Sequence, residues 1–161
     1  LLLKVCGSYT LQKFPYPIFN NCLPHIDDFL ENGYTKEEEK LIRETRKILR
    51  RSKLPVTATA VRVPVFNCHS ESINIEFENI YEINDAIEII HNAPGITVKN
   101  DFENLEYPIA TDASGNDDVF VGRIRRDFSL KSGLNLWVVS DNLRRGAASN
   151  AVKILEKLIQ I

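Results

Sequence analysis

The sequence predicts an α+β fold with a mixed, largely antiparallel sheet and helices on one face. The first reason is the order of patterned segments: helix, strand, strand, helix, strand, strand, helix, with most strands joined by short turns. The second is length, since 161 residues suit one domain with a real core and crowd two, so residues 1–161 are read as a single domain. The third is that segments 56–66 and 119–126 carry apolar side chains on both sides. The sheet face away from the helices is therefore expected to lie against another subunit or domain.

Taken in order, residues 1–23 are irregular, with Pro15 and Pro17 breaking any helix and Phe14, Tyr16, Ile18 and Phe19 asking for cover. Pro24 to Leu30 is read as a short helix ended by Gly33. Thr35-Lys36-Glu37-Glu38 is a capping box, in which the Thr35 hydroxyl and the Glu38 carboxylate each satisfy a backbone amide of the other. The helix it opens sets Leu41, Ile42, Thr45, Ile48 and Leu49 on one face and Glu37, Lys40, Glu44 and Lys47 on another, and Pro55 stops its continuation. Strands follow at 56–66 and, with alternating Ile73, Ile75 and Phe77, just beyond residue 70. Pro64 cannot donate to a ladder, which puts the first strand near its end, at an edge or at a bulge. Asn84 is read as the cap of a second helix burying Ile83, Ala86, Ile87 and Ile90, which Pro94-Gly95 ends. A short strand at Ile96-Thr97-Val98 leads to a polar stretch, 99–118, read as a surface loop. Strands at 119–126 and 134–140 meet at Lys131-Ser132-Gly133, and a final helix is expected from about Asp141-Asn142 through Leu158.

Bulk properties exclude several functions. A net charge of −2 gives no long-range pull toward nucleic acid or a membrane surface. No apolar run approaches the roughly 20 residues that cross a bilayer, and Leu1-Leu2-Leu3 is too short for a signal-peptide core. Cys6, Cys22 and Cys68 form no CxxC or paired spacing, so neither a disulfide framework nor a metal site is expected, and a reducing cytoplasm is the simplest compartment. The chain contains no methionine, and is read either as a processed product or as a piece of a longer polypeptide.

The chemistry concentrates in Val61-Arg62-Val63-Pro64-Val65-Phe66-Asn67-Cys68-His69-Ser70. A guanidinium, an amide, a thiol, an imidazole and a hydroxyl stand there at the exit of an apolar strand, groups that bind anions and move protons. The plain alternative is a capped hairpin with a surface histidine.

This junction, the helix run Glu37-Glu38-Glu39-Lys40 with Glu44-Thr45-Arg46-Lys47-Ile48, and the segment Trp137-Val138-Val139-Ser140-Asp141-Asn142-Leu143-Arg144-Arg145-Gly146-Ala147-Ala148 together resemble aspartate-semialdehyde dehydrogenase, in its bacterial form. The likeness spans nearly the whole chain in order, and Pro24-His25-Ile26-Asp27 fits it. It implies the C-terminal domain of the glyceraldehyde-3-phosphate dehydrogenase-like fold, a substrate-binding and dimerisation domain. The dinucleotide-binding domain and the nucleophilic cysteine would lie outside this chain, which has no glycine fingerprint for a dinucleotide. The C-terminal helix is the only segment here that could help close that domain. The implied reaction is NADPH-dependent reduction of L-aspartyl-4-phosphate to L-aspartate-4-semialdehyde with release of phosphate, through a cysteine thioester, on the way to lysine, threonine and methionine. The implied assembly is a homodimer or tetramer.

By motif position the resemblance implies roles for five residues. Arg62 pairs with the substrate carboxylate, and Glu37 holds its amino group. Lys40 contacts phosphate, His69 is the acid/base, and Asn142 lies near the nicotinamide of NADP. Each has a plain alternative: Glu37 and Lys40 as a solvated helix face, Arg62 as an interface ion pair, Asn142 as a helix cap. One departure stands out, because Cys68 occupies a position that is usually glycine in the family; a positive φ there would strain it and shift the imidazole. A non-catalytic oligomerisation or metabolite-binding module is the competing function. A relative acting on another acyl phosphate, such as N-acetylglutamyl phosphate or glyceraldehyde 3-phosphate, is disfavoured by the Glu37 and Arg62 pair.

Overall fold

A computed structural model describes residues 14–159, so Leu1-Leu2-Leu3 and Cys6 lie outside it. The chain forms two compact units that divide between Pro64 and Val65.

The first unit is built around helix α1 (Lys36–Ile48). Its capping box forms as the sequence predicts: the Glu38 amide donates to Thr35 Oγ1 at 3.3 Å and the Thr35 amide to Glu38 Oε2 at 2.8 Å. The stretch 24–30 is not a helix. Asp27 sits at φ 69°, the Phe29–Thr35 bridge closes a turn through Gly33, and the Leu30 amide is spent on the Tyr34 carbonyl at 2.8 Å. A backbone donor committed to a turn is not available to a helix. The predicted strand at 56–66 is extended but joins no ladder. Among the described residues it is held by a single bridge, Leu23 to Arg62, with bonds of 2.9 and 2.8 Å, by an amide at Ala60 that donates to Glu38 Oε1 at 2.8 Å, and by a hydroxyl bond between Thr57 and Tyr34 at 2.8 Å. Alternating side chains can mark a strand, but a strand also needs a partner edge, and among the described residues none is offered beyond that bridge.

The second unit is a four-stranded sheet in the order β1-β4-β3-β2, made of β1 (His69–Glu76), β2 (Ile96–Val98), β3 (Val119–Asp127) and β4 (Gly133–Ser140). The β1–β4 and β4–β3 pairs are antiparallel and β3–β2 is parallel, which gives the mixed, largely antiparallel sheet expected. Helix α2 (Ile83–His91) packs Ile83, Ile87 and Ile90 onto Val121, Ile124 and Leu134. Its cap is Glu82, which makes no side-chain capping bond, and Asn84 lies inside the first turn. Starting the helix two residues earlier than an Asn84 cap allows puts Ile83 within it, against the core. The stretch 99–118 is more than a surface loop. It holds α3 (Ala110–Ala113), whose fully buried Ala113 packs with Phe120 and Val139 on the sheet face away from α2.

The C-terminal helix α4 (Ser149–Ile159) begins later than predicted, after a π-helical turn at Arg144–Ala148. Val152, Leu155, Leu158 and Ile159 are all exposed along it. Among the described residues no helix is long and apolar enough to cross a membrane.

Candidate active site

The five residues singled out from the sequence divide between the units. In the first, Glu37 and Lys40 stand one turn apart on α1 and pair with each other, Nζ to Oε1 at 3.3 Å. Lys40 is exposed and Glu37 half-buried, so this solvent-accessible pair contributes at most about 1 kcal/mol and yields readily to a stronger partner. The buried Glu38 beside them ties the helix start to Ala60, two residues before Arg62, and the amides of Thr35 and Ala60 hold its carboxyl below the ordinary carboxylate range. Helix start and arginine are thereby fixed within one unit. The Arg62 guanidinium lies 5.0 Å from the centre of the Phe14 ring, and among the described residues it has no carboxylate partner. A planar fork backed by an aromatic ring and lacking an anion is suited to receive one.

In the second unit, strand register sets His69 two residues from Asn142 in its partner strand's continuation. His69 opens β1 opposite Ser140, the last residue of β4, and Asn142 follows two residues later. His69 is exposed and Asn142 half-buried. The side chains of both lack hydrogen-bond partners among the described residues. Asn142 is not the helix cap: Leu143 caps the π-helical turn without a side-chain bond, and Asp141 secures the turn before it, its Oδ1 accepting the Leu143 amide at 3.0 Å and its carbonyl accepting those of Arg144 and Arg145 at 3.1 and 2.9 Å. The sequence marks Asp141 as a helix start but gives no sign of its long-range bond to Gly115 (Oδ2, 2.8 Å). Among the described residues no cluster of His, Cys, Asp and Glu is placed to hold a metal.

Cys68, the departure noted in the motif, sits at φ 78°. Its Sγ reaches the Ala110 carbonyl at 3.4 Å and packs against the Ala113, Phe120 and Val139 cluster. Burial, reinforced by the Asp141 charge, pushes the thiol up, away from the thiolate form a nucleophile needs. A left-handed conformation costs a residue with a Cβ about 1–2 kcal/mol. We therefore expect Cys68→Gly to equal or exceed Cys68→Ala in stability, reversing their usual order. Urea unfolding of the two variants checks this, and an alanine variant more stable by about 1 kcal/mol would refute the strain.

A second feature is a cleft of about 560 Å³ on the sheet face opposite α2. Ser70, Ser72, Tyr107, Trp137, Arg123 and Arg125 line it, and the Trp137 indole donates to the Pro108 carbonyl at 3.0 Å.

Comparison with known proteins now identifies the family. The model of the semialdehyde dehydrogenase dimerisation domain matches residues 6–145. The aspartate-semialdehyde dehydrogenase of Aquifex aeolicus (strain VF5) is 53% identical over 149 residues, covering 92% of this chain and 44% of that protein. The crystal structure of aspartate semialdehyde dehydrogenase II from Vibrio cholerae complexed with ASA is 43% identical with a TM-score of 0.86, covering 91% of this chain and 43% of that one. The Candida albicans enzyme with NADP is 29% identical with a TM-score of 0.67, covering 88% and 45%. The chain thus spans a little under half the length of the relatives it matches. It belongs to the semialdehyde dehydrogenase dimerisation-domain family, and the relatives it matches are aspartate-semialdehyde dehydrogenases.

Proposed function

We propose that this chain is the substrate-binding and dimerisation half of an NADPH-dependent aspartate-semialdehyde dehydrogenase. The complete enzyme reduces L-aspartyl-4-phosphate to L-aspartate-4-semialdehyde and phosphate in the cytoplasm, toward lysine, threonine and methionine. The observation that supports this reading is that His69 pairs in register with Ser140, two residues before Asn142, and that among the described residues neither His69 nor Asn142 has a side-chain hydrogen-bond partner.

In this reading Arg62 clamps the substrate carboxylate bidentately, and Glu37 and Lys40 part to take the ammonium and the phosphate. A weak surface pair is exchanged for two charge-assisted ones. His69 delivers the proton that the developing alkoxide requires. The nucleophilic cysteine comes from the half beyond this chain. NADP, when bound, supplies the hydride. The residues here fit a small part of it: the half-buried Asn142 amide, unengaged, can hydrogen-bond another amide and orient it, and the chain has no glycine fingerprint for the pyrophosphate. The cleft face, lined by Trp137, Tyr107, Arg123 and Arg125, is where a second copy docks, since aromatic and arginine side chains anchor such interfaces.

Kinetics of the complete enzyme test the assignment. Arg62→Ala raises the KM for aspartyl phosphate by about 10- to 100-fold, the worth of a charge-assisted hydrogen bond, and Arg62→Lys restores only part because the fork is lost. An unchanged KM removes Arg62 from the site. The isolated chain oxidises no NADPH; turnover by it would force one of its own cysteines into the chemistry.

A further inference from the structure

We infer that Asp141 is a positioning residue for this site, its carboxylate fastening the turn that carries Asn142 to the loop after α3 and so setting where the Asn142 amide stands relative to His69. The inference rests on the roles proposed above for those two residues.

Asp141 is 5% exposed, and both carboxylate oxygens are engaged. Oδ1 accepts the Leu143 amide at 3.0 Å, a bond any short capping side chain could make. Oδ2 accepts the Gly115 amide at 2.8 Å, 26 residues away in sequence, which a cap has no need of. The same α3 segment also holds the approach to His69. The Asn67 amide donates to Ser114 Oγ at 3.1 Å, and Cys68 Sγ reaches the Ala110 carbonyl at 3.4 Å. Residues 110–115 therefore grip both lead-ins, from Asn67-Cys68 to His69 and from Asp141 to Asn142. A second clasp sits just beyond, where Asp117 Oδ1 accepts Arg144 Nε at 2.8 Å and the Ser149 hydroxyl at 2.6 Å. Backbone donors, the Gly115 amide first, hold the Asp141 carboxyl below the ordinary carboxylate range. Asparagine cannot replace it, because a single amide oxygen serves one of the two donors and turns an N–H toward the other.

The test is a double-mutant cycle in the complete enzyme with Asp141→Asn, Asn142→Ala and the pair combined, reading kcat, the KM for aspartyl phosphate and Tm. Asp141→Asn lowers kcat by about 10- to 100-fold, as a misplacement near 1 Å does, with the aspartyl phosphate KM unchanged because Arg62 and Glu37 are untouched. The combined variant loses no more than the worse single one, since the two residues act as a unit. Asp141→Ser keeps the Leu143 bond and drops the Gly115 bond, so it shows the kinetic loss even if the asparagine variant folds poorly. Losses that multiply, or a lowered Tm with kcat per folded enzyme intact, overturn the positioning role. If Asn142→Ala reduces kcat and neither Asp141 variant does, this inference alone fails. If Asn142→Ala is silent, the role proposed for Asn142 fails, and the inference with it.

Discussion

His69→Ala in the complete enzyme lowers kcat by about 10²- to 10⁴-fold, the range that a positioned acid/base supplies. The loss falls on kcat, while the KM for aspartyl phosphate holds, because the imidazole acts on charge that appears only as the carbonyl is reduced and the proposed substrate clamps lie elsewhere. Folding is not at stake. His69 is exposed at the first position of β1, and its side chain makes no hydrogen bond among the described residues, so the substitution should change stability by no more than about 0.5 kcal/mol. A large kinetic loss at unchanged Tm is thus the expected signature. If kcat stays within about threefold of the parent, the acid/base assignment is wrong and the group that protonates the alkoxide must be sought outside this chain.

Legibility differed between elements for identifiable reasons. Capping boxes and apolar stripes are local signals, so α1 with Thr35 and Glu38, and the buried side of α2, could be read directly. The β3–β4 hairpin was equally plain, although its turn spans 128–132 and Gly133, read as part of the turn, already pairs with Asp127 as the first residue of β4. The failures needed a partner that a local window does not reveal. Residues 56–66 alternate like a strand, yet the Ala60 amide goes to a carboxylate on α1 instead of a neighbouring strand. The π-helical turn delays α4 by several residues, and nothing in Arg144-Arg145-Gly146 announces it. Site residues were legible as chemistry but not as geometry. Arg62 and His69 drew notice as polar groups on an apolar run, whereas the pairing of His69 with Ser140, two residues before Asn142, depends on strand register. The long-range bond of Asp141 depends on where the 99–118 segment folds, and that segment read as loop. The strain at Cys68 was foreseeable only from the family's glycine at that position.

Gly122→Ala should destabilise the second unit by on the order of 3 kcal/mol, the upper end of overpacking costs. Gly122 lies on β3 opposite Trp137, on the face toward Pro108. A methyl group placed there would stand 1.9 Å from the Lys99 carbonyl oxygen and 2.5 Å from Pro108 Cδ. Neither neighbour can swing away as a flexible side-chain tip could. The Lys99 carbonyl belongs to backbone that is itself tied to β3, its amide donating to the Val121 carbonyl at 2.9 Å, and the Pro108 carbonyl accepts the Trp137 indole. The next residues form the irregularity in the β3–β4 register, with Arg123 at φ 52° and the Ile124 amide donating to Asn100 Oδ1 at 2.9 Å. Relief of the clash therefore means prying the 99–108 segment off the sheet, which opens the cleft as well as the core. Trp137 is the chain's one tryptophan and lies at this contact, so urea unfolding followed by its fluorescence reports the change where it occurs. Gly146→Ala is the matched control: nothing lies within 4 Å of the added methyl, and alanine in a helical turn gains up to about 1 kcal/mol over glycine. Opposite signs at the two glycines are expected, and a Gly122→Ala variant as stable as its parent would mean that the 99–108 segment does not press on β3 as described.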